Sequence, residues 1–185
     1  MSFKNNVYDR ETFILVIDDD QTLLKFFKIH LNKFFSKIIV VKNAKEAFTT
    51  LAEKEIDLVI SDIRMPRMDG IQLMKKVRLH DPSIPVYLVS GALLTPAQLE
   101  TVDDKADGFL KKPFSIDDLH DFIATGLKVR DIYKEIYAML PDKKKFRSLI
   151  TGKISLKQIK DEDQRKRAGE LLDEIVALQD VRKVS

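Results

Sequence analysis

The chain has 185 residues, no cysteine, and 32 Lys and Arg against 29 Asp and Glu. That length suits one well-buried domain of about 100–200 residues plus an appendage, and the lack of thiols excludes a disulfide framework, a thiol nucleophile and a thiolate metal site. A net charge of +3 is too small to mark a nucleic-acid binder, and neither an apolar run approaching the roughly 18 residues of a membrane span nor a signal-like N-terminus is present, so neither membrane insertion nor export is expected and the protein is expected in the cytoplasm.

Strands and helices alternate through the first two thirds. FILVI (13–17) reads as a buried strand, and apolar residues at helical spacing predict a helix over 20–35. KIIVV (37–41) is a second strand; Asn43 with Glu46 three residues on opens a second helix reaching about Lys54. DLVIS (57–61) is the third strand, residues 71–79 the third helix, and PVYLVS (85–90) the fourth strand. Thr95 with Pro96 starts helix four, DGFLK (107–111) is strand five, and Ser115 with Asp118 caps helix five. His30, His80 and His120 make no i,i+4 pair and read as surface helix residues.

Strands apolar at nearly every position, separated by helices, imply a parallel sheet covered on both faces and wound in the right-handed sense. The expected fold is α/β, a doubly wound five-stranded sheet of flavodoxin-like order 2-1-3-4-5 with five helices and an α-helical tail. The working site of such a sheet lies at the carboxyl ends of its strands, which gathers Asp18, Asp19, Asp20, Asp62, Ser90 and Lys112. Carboxylates brought together raise one another's pKa unless a cation joins them. Oxygen ligands with room for water suit Mg2+ and a phosphoryl group. Lys112 and Ser90 supply an ammonium and a hydroxyl for phosphoryl oxygens, and a carboxylate can itself be the covalent acceptor.

In chain order, LVIDDD, DLVISDIRMPRMDG, VYLVSGA and GFLKKPF each close a predicted strand. Over about residues 10–127 the chain resembles the receiver domain of bacterial two-component response regulators, of the chemotaxis-regulator type. The resemblance implies that Asp62 accepts a phosphoryl group from a histidine kinase or phosphotransfer protein. It implies that Asp18, Asp19, Asp62 and the backbone carbonyl of Arg64 hold Mg2+, that Lys112 pairs with the phosphoryl group, and that Ser90 turns inward with the aromatic switch residue Phe109. It also implies a cis peptide before Pro113. Asp20 is read instead as the cap of helix one. In the family that the chain resembles, the positions of Arg64 and Ala92 tune phosphoryl lifetime; Ala92 offers no side chain to orient a water and Arg64 is long and cationic, so self-dephosphorylation is expected to be slow.

Residues 128–185 hold 15 Lys and Arg against 10 Asp and Glu, whereas the rest of the chain holds 17 against 19. Helix five is expected to continue into this extension, with Phe122, Gly126, Val129, Tyr133, Ile136 and Leu140 forming a heptad seam until Pro141 stops it. A basic stretch, DKKKFR, follows; Ser155 with Gln158 then reads as the capping box of a last helix carrying Ala168, Leu171, Ile175 and Leu178. The two stripes either fold back on each other or on the receiver, or pair with a second copy through residues 119–140 and 168–178. No effector enzyme is legible in the extension, so the expected output is contact with a downstream protein. A DNA-binding regulator acting through the basic tail and a phosphorylation-independent scaffold are the alternatives.

Overall fold

The computed structural model describes residues 12–32, 34, 35 and 37–180. Residues 10 and 11 of the expected receiver and the last five of the extension lie outside these. The elements follow in the order β1 (Phe13–Ile17), α1 (Gln21–Leu31), β2 (Lys37–Val41), α2 (Ala44–Glu53), β3 (Leu58–Asp62), α3 (Gly70–His80), β4 (Val86–Ser90), α4 (Pro96–Lys105), β5 (Gly108–Lys111) and α5 (Ile116–Met139). All strand pairs are parallel, in the order β2-β1-β3-β4-β5.

Successive strand residues point to opposite faces, so each strand feeds two cores. Leu15, Ile17, Val59 and Leu88 pack with Ala47, Leu51, Leu73, Met74 and Val77 beneath α2 and α3. Ile14, Val16, Ile60 and Tyr87 pack with Phe27, Leu31, Leu119 and Ile123 beneath α1 and α5. Each fully buried side chain of this size contributes about 1.5–3 kcal/mol, which is why the strands carry no alternating polar face. The helix starts follow from local chemistry. The Asp20 carboxylate accepts the N–H groups of Thr22 and Leu23, and Asn43 accepts that of Glu46. Thr95 with Gln98 and Ser115 with Asp118 form capping boxes.

In the extension the structure shows which face covers which. α5 runs unbroken through residue 127 and, at 24 residues, is about 36 Å long. Because it travels opposite to the strands, its second half overhangs their amino ends. A short 3-10 turn (Lys143–Lys145), α6 (Phe146–Ile150), a second 3-10 turn (Leu156–Gln158) and α7 (Glu162–Asp180) then fold back on that overhang. Val129, Tyr133, Ile136 and Leu140 are buried with Phe146, Leu149, Ala168, Leu171 and Ile175 in one cluster. Phe146 stands edge-on to the rings of Tyr133 and Tyr137, with centroids 5.3 Å away in both cases. Phe122 and Gly126, the first part of the seam, face the sheet instead. The seam is therefore filled within the chain. Fold-back is the outcome, fastened by Arg167 of α7, whose Nε and Nη2 donate to Glu135 of α5 at 2.7 and 3.3 Å.

Other corrections are local. Ser155 caps the 3-10 turn, accepting the N–H of Lys157, and Gln158 accepts from Lys145 Nζ instead of closing a box. The last helix starts later, at Glu162, where the Asp161 carboxylate accepts the N–H of Gln164. α1 stops at Leu31, short of residue 35, with Asn32 as its C-cap. His120 is not a surface residue, since its ring packs against Phe34 and Phe35 and its side chain is 15% exposed. His30 is half-buried against Phe26.

Candidate functional site

A parallel sheet delivers all its carboxyl ends to one edge. Asp18 follows β1, Asp62 ends β3, Ser90 ends β4 and Lys112 follows β5. Lys112 Nζ donates to Asp18 Oδ2 at 2.8 Å and to Asp62 Oδ1 at 2.7 Å. The remaining carboxylate oxygens are also engaged: Asp18 Oδ1 accepts the N–H of Asp20 at 2.9 Å, and Asp62 Oδ2 accepts the N–H of Arg64 at 2.6 Å. Both aspartates are buried. Burial pushes the Asp62 carboxyl above its ordinary value; the charge of Asp18 adds to this while Lys112 opposes it. Burial pulls the Lys112 ammonium down, but its hydrogen bonds to Asp18 and Asp62 outweigh that and hold it above the usual lysine range. The peptide bond from Lys112 to Pro113 is cis, as the resemblance implied.

Asp18, Asp62 and Lys112 are thus in direct contact. Asp19, next in the chain, is exposed on the same edge. Ser90 is buried, but its hydroxyl faces its own loop, with Ala92 N–H and C=O at 3.3 and 3.4 Å, which is the strand-end role. Phe109 is half-buried against the core beneath α2 and α3. Arg64 is exposed, and its Nη2 donates to the Leu93 carbonyl at 2.8 Å, tying the loop after β3 to the loop after β4, where Ala92 sits.

Among the described residues no three acidic or histidine side chains close on one point. A Mg2+ ion does not need such a cage, because it keeps several waters and takes one or two carboxylates. The donor set here, two buried carboxylates, one exposed carboxylate and backbone carbonyls, is oxygen only and fits that ion.

Gly70, at the first position of α3, packs tightly against the carboxyl end of β3. A Cβ there would lie 2.2 Å from the Asp62 carbonyl oxygen and 3.0 Å from Ile63 Cα, and backbone on that side has little freedom to retreat. Gly70→Ala is expected to destabilise the chain by about 3 kcal/mol through overpacking, measured by urea unfolding. A loss below about 0.5 kcal/mol would show that the loop yields.

The sequence reading missed a second charged cluster, at the opposite edge of the sheet. Asp107 precedes β5 and is buried. It accepts hydrogen bonds from Arg147 Nη1 at 2.7 Å, the Tyr133 hydroxyl at 2.5 Å, Arg78 Nη2 at 3.2 Å and the N–H of Val86 at 2.8 Å. Burial would raise its pKa, but Arg147 and Arg78 overcome this and lower it to about 2. Asp57, preceding β3, accepts from Arg130 Nη1 at 2.6 Å, Lys134 Nζ at 2.9 Å and the N–H of Phe13 at 2.9 Å. These contacts bind the overhanging half of α5, and Arg147 of α6, to the receiver. Arg147 belongs to the basic stretch KKKFR, so that run is in part an interior anchor. The available signal was the spacing of Arg130, Tyr133 and Lys134 on one helix face, together with an aspartate immediately before two of the strands.

Comparison with known proteins shows what the chain is similar to. The family model described as response regulator receiver domain matches residues 14–124. The C4-dicarboxylate transport transcriptional regulatory protein DctD of Pseudomonas aeruginosa is 32% identical over 128 residues, 69% of this chain and 28% of that protein. DctD of Rhizobium meliloti is 37% identical over 106 residues, 57% of this chain and 23% of the relative. The chain therefore spans less than a third of the length of these relatives. Among solved structures, the response regulator protein TrrA of Thermotoga maritima, in complex with Mg(2+)-BeF, is similar with a TM-score of 0.56 and 26% identity, covering 63% of this chain and 99% of that one.

Proposed function

The chain belongs to the response regulator receiver family, and from that premise we propose that it takes a phosphoryl group onto Asp62 from the phosphohistidine of a histidine kinase or phosphotransfer protein, with Mg2+ as cofactor. The observation that carries this reading is the Lys112 ammonium held between two buried carboxylates, 2.8 Å from Asp18 and 2.7 Å from Asp62. One Asp62 oxygen forms a bond to phosphorus as the bond from phosphorus to the imidazole nitrogen breaks, and the electron pair leaves with the imidazole. Asp18, Asp19, Asp62 and the Arg64 carbonyl would hold Mg2+, which supplies positive charge for the phosphoryl oxygens. Lys112 passes from the Asp62 carboxylate to a phosphoryl oxygen, so its cation is already in place where charge develops. Ser90 exchanges its weak loop contacts for another phosphoryl oxygen, and Phe109 moves with it. The changed surface is that of α4, β5 and α5, read by a downstream protein. α5 also carries the change toward the folded extension, because one continuous helix joins the two.

Incubation with acetyl phosphate and Mg2+, followed by intact-mass measurement, is expected to show one phosphoryl group on the wild type and none on Asp62→Asn or in the presence of a chelator. Labelling of Asp62→Asn to the same extent would refute the assignment. The bridge from Arg64 to Leu93 supports a shielded product, so the phosphoryl group is expected to persist for minutes or longer; a half-life of seconds would remove that part of the reading.

A further inference from the structure

Between α2 and the loop leading into α3 lies a groove of about 790 Å3 that the phosphoryl chemistry does not use. Its floor follows from helical spacing: Ala44, Phe48 and Ala52 recur every fourth residue on α2, with Ala44 buried at its base, Phe48 partly buried and Ala52 exposed. The facing wall is Pro66, Arg67 and Met68, with Lys76 from α3. Phe48 is only partly buried, and the Lys76 ammonium stands 5.9 Å from its ring. The chain's own packing leaves part of Phe48 and Ala52 uncovered.

The rim is charged on one side of the balance. Lys45, Arg67 and Lys76 line it against Glu53 alone, and none of the three cations meets a carboxylate within ion-pair distance among the described residues. Arg67 also holds a left-handed backbone with φ of 70°. That conformation costs a non-glycine residue about 1 kcal/mol, and strain of this kind gathers at ligand clamps. None of the lining residues belongs to a strand, so the groove offers no sheet edge for an extended peptide. Its floor is instead a ten-residue helix, about 15 Å, the length of three turns of a helix laid alongside.

We propose that this groove receives an amphipathic helix of a partner protein, with apolar residues at i, i+4 and i+7 set on Phe48 and Ala52 and aspartates or glutamates on its flanks meeting Lys45, Arg67 and Lys76. The Arg67 wall lies in the loop that begins with the Arg64 N–H donor to Asp62. The helix itself is recognised whether or not Asp62 carries a phosphoryl group, so this inference stands or falls apart from the phosphoacceptor reading.

The test is selection from a displayed library of helical peptides with a fixed leucine row and randomised flanks, panned on the full chain, with Ala52→Arg as the counter-target. Ala52 is exposed on α2, and circular dichroism checks that the variant keeps its fold. The expected binders carry an excess of Asp and Glu, lose at least about tenfold in affinity on Ala52→Arg, and give way to Lys- and Arg-flanked binders on the double variant Lys45→Glu, Lys76→Glu. Binders indifferent to Ala52→Arg, binders without the acidic excess, or no groove-dependent binder at all would overturn the proposal. So would a wild-type dimer in light scattering that Ala52→Arg abolishes, because that assigns the groove to a second copy of this chain.

Discussion

Replacing Asp107 by alanine is expected to cost about 4 kcal/mol of stability, the range for removing one partner of a buried ion pair. The carboxylate is buried and accepts from Arg147, Tyr133 and Arg78 on three different helices and from the N–H of Val86. Without it the two guanidinium groups are left without their shared carboxylate in a largely buried site, and the Tyr133 hydroxyl loses its acceptor. Urea unfolding followed by both near- and far-ultraviolet circular dichroism measures the loss. A change below about 1 kcal/mol would show that water enters and replaces the carboxylate. Asp107→Asn keeps the shape and removes the charge, so it separates packing from electrostatics; it should retain less than half of the stability that Asp107 supplies.

The same residue sets an acid limit. Its pKa in the folded chain is about 2, below the ordinary carboxylate value of 3.8. A depressed folded-state pKa contributes stability that is complete above the unfolded value and is lost as pH falls through the folded one. The contribution, about 2 kcal/mol for a shift of this size, is therefore present above pH ~4 and disappears toward pH ~2. Wild type should become steadily less stable across that window, and Asp107→Ala should show a flatter profile there. Asp57, also held below its ordinary value because Lys134, Phe13 and Arg130 overcome its burial, adds to the slope in the wild type and remains in the variant.

The receiver was legible because each of its levels repeats the same message. FILVI and DLVIS are apolar on both faces, which only a doubly covered parallel sheet explains, and the caps at Asp20, Asn43, Thr95 and Ser115 all serve the helices expected of them. Strand ends then determine which polar residues meet. Asp18, Asp62 and Lys112 could be assembled from topology alone, because a parallel sheet brings its carboxyl ends together however far apart they lie in the chain. The side-chain state of Ser90 could not, since a hydroxyl at that position can turn to its own loop or to the pocket, and the choice depends on contacts of about 3.3 Å with Ala92.

The extension shows the opposite case. A heptad stripe from Val129 to Leu140 states that a face must be covered but not by what, because a partner helix from the same chain and one from a second copy satisfy the same periodicity. What decides is the geometry of the connection. α5 overhangs the sheet by enough turns for α6 and α7 to return along it, and the Asp107 and Asp57 contacts fix the overhang at the receiver's amino edge. Arg147 had the look of a solvated charge in KKKFR, and only the return of the chain turns it inward.

Lys112→Ala is expected to slow phosphoryl uptake on Asp62 about 100- to 1000-fold, the loss typical of removing one preorganised group that meets developing charge. The ammonium is raised in pKa by the two carboxylates it bridges, so it is fully charged at neutral pH and needs no reorganisation to meet a phosphoryl oxygen. Its removal also frees one oxygen each of Asp18 and Asp62, and the affinity for Mg2+ should then hold or improve. The two effects oppose each other. In acetyl phosphate labelling, the Mg2+ dependence should move to equal or lower concentration while the saturating rate falls. A lysine that merely held the two strands in register would weaken both together. Lys112→Arg keeps the charge but spreads it over a planar fork, which fits a gap built for a compact ammonium poorly; it should recover less than a tenth of the lost rate. Because Lys112 and Asp107 stand at the two ends of β5, the final discriminating measurement is the labelling rate of Asp107→Asn. If β5 transmits strain between the edges, that rate changes although the substitution is at the far side of the sheet; an unchanged rate makes the amino-edge cluster an anchor of the extension alone.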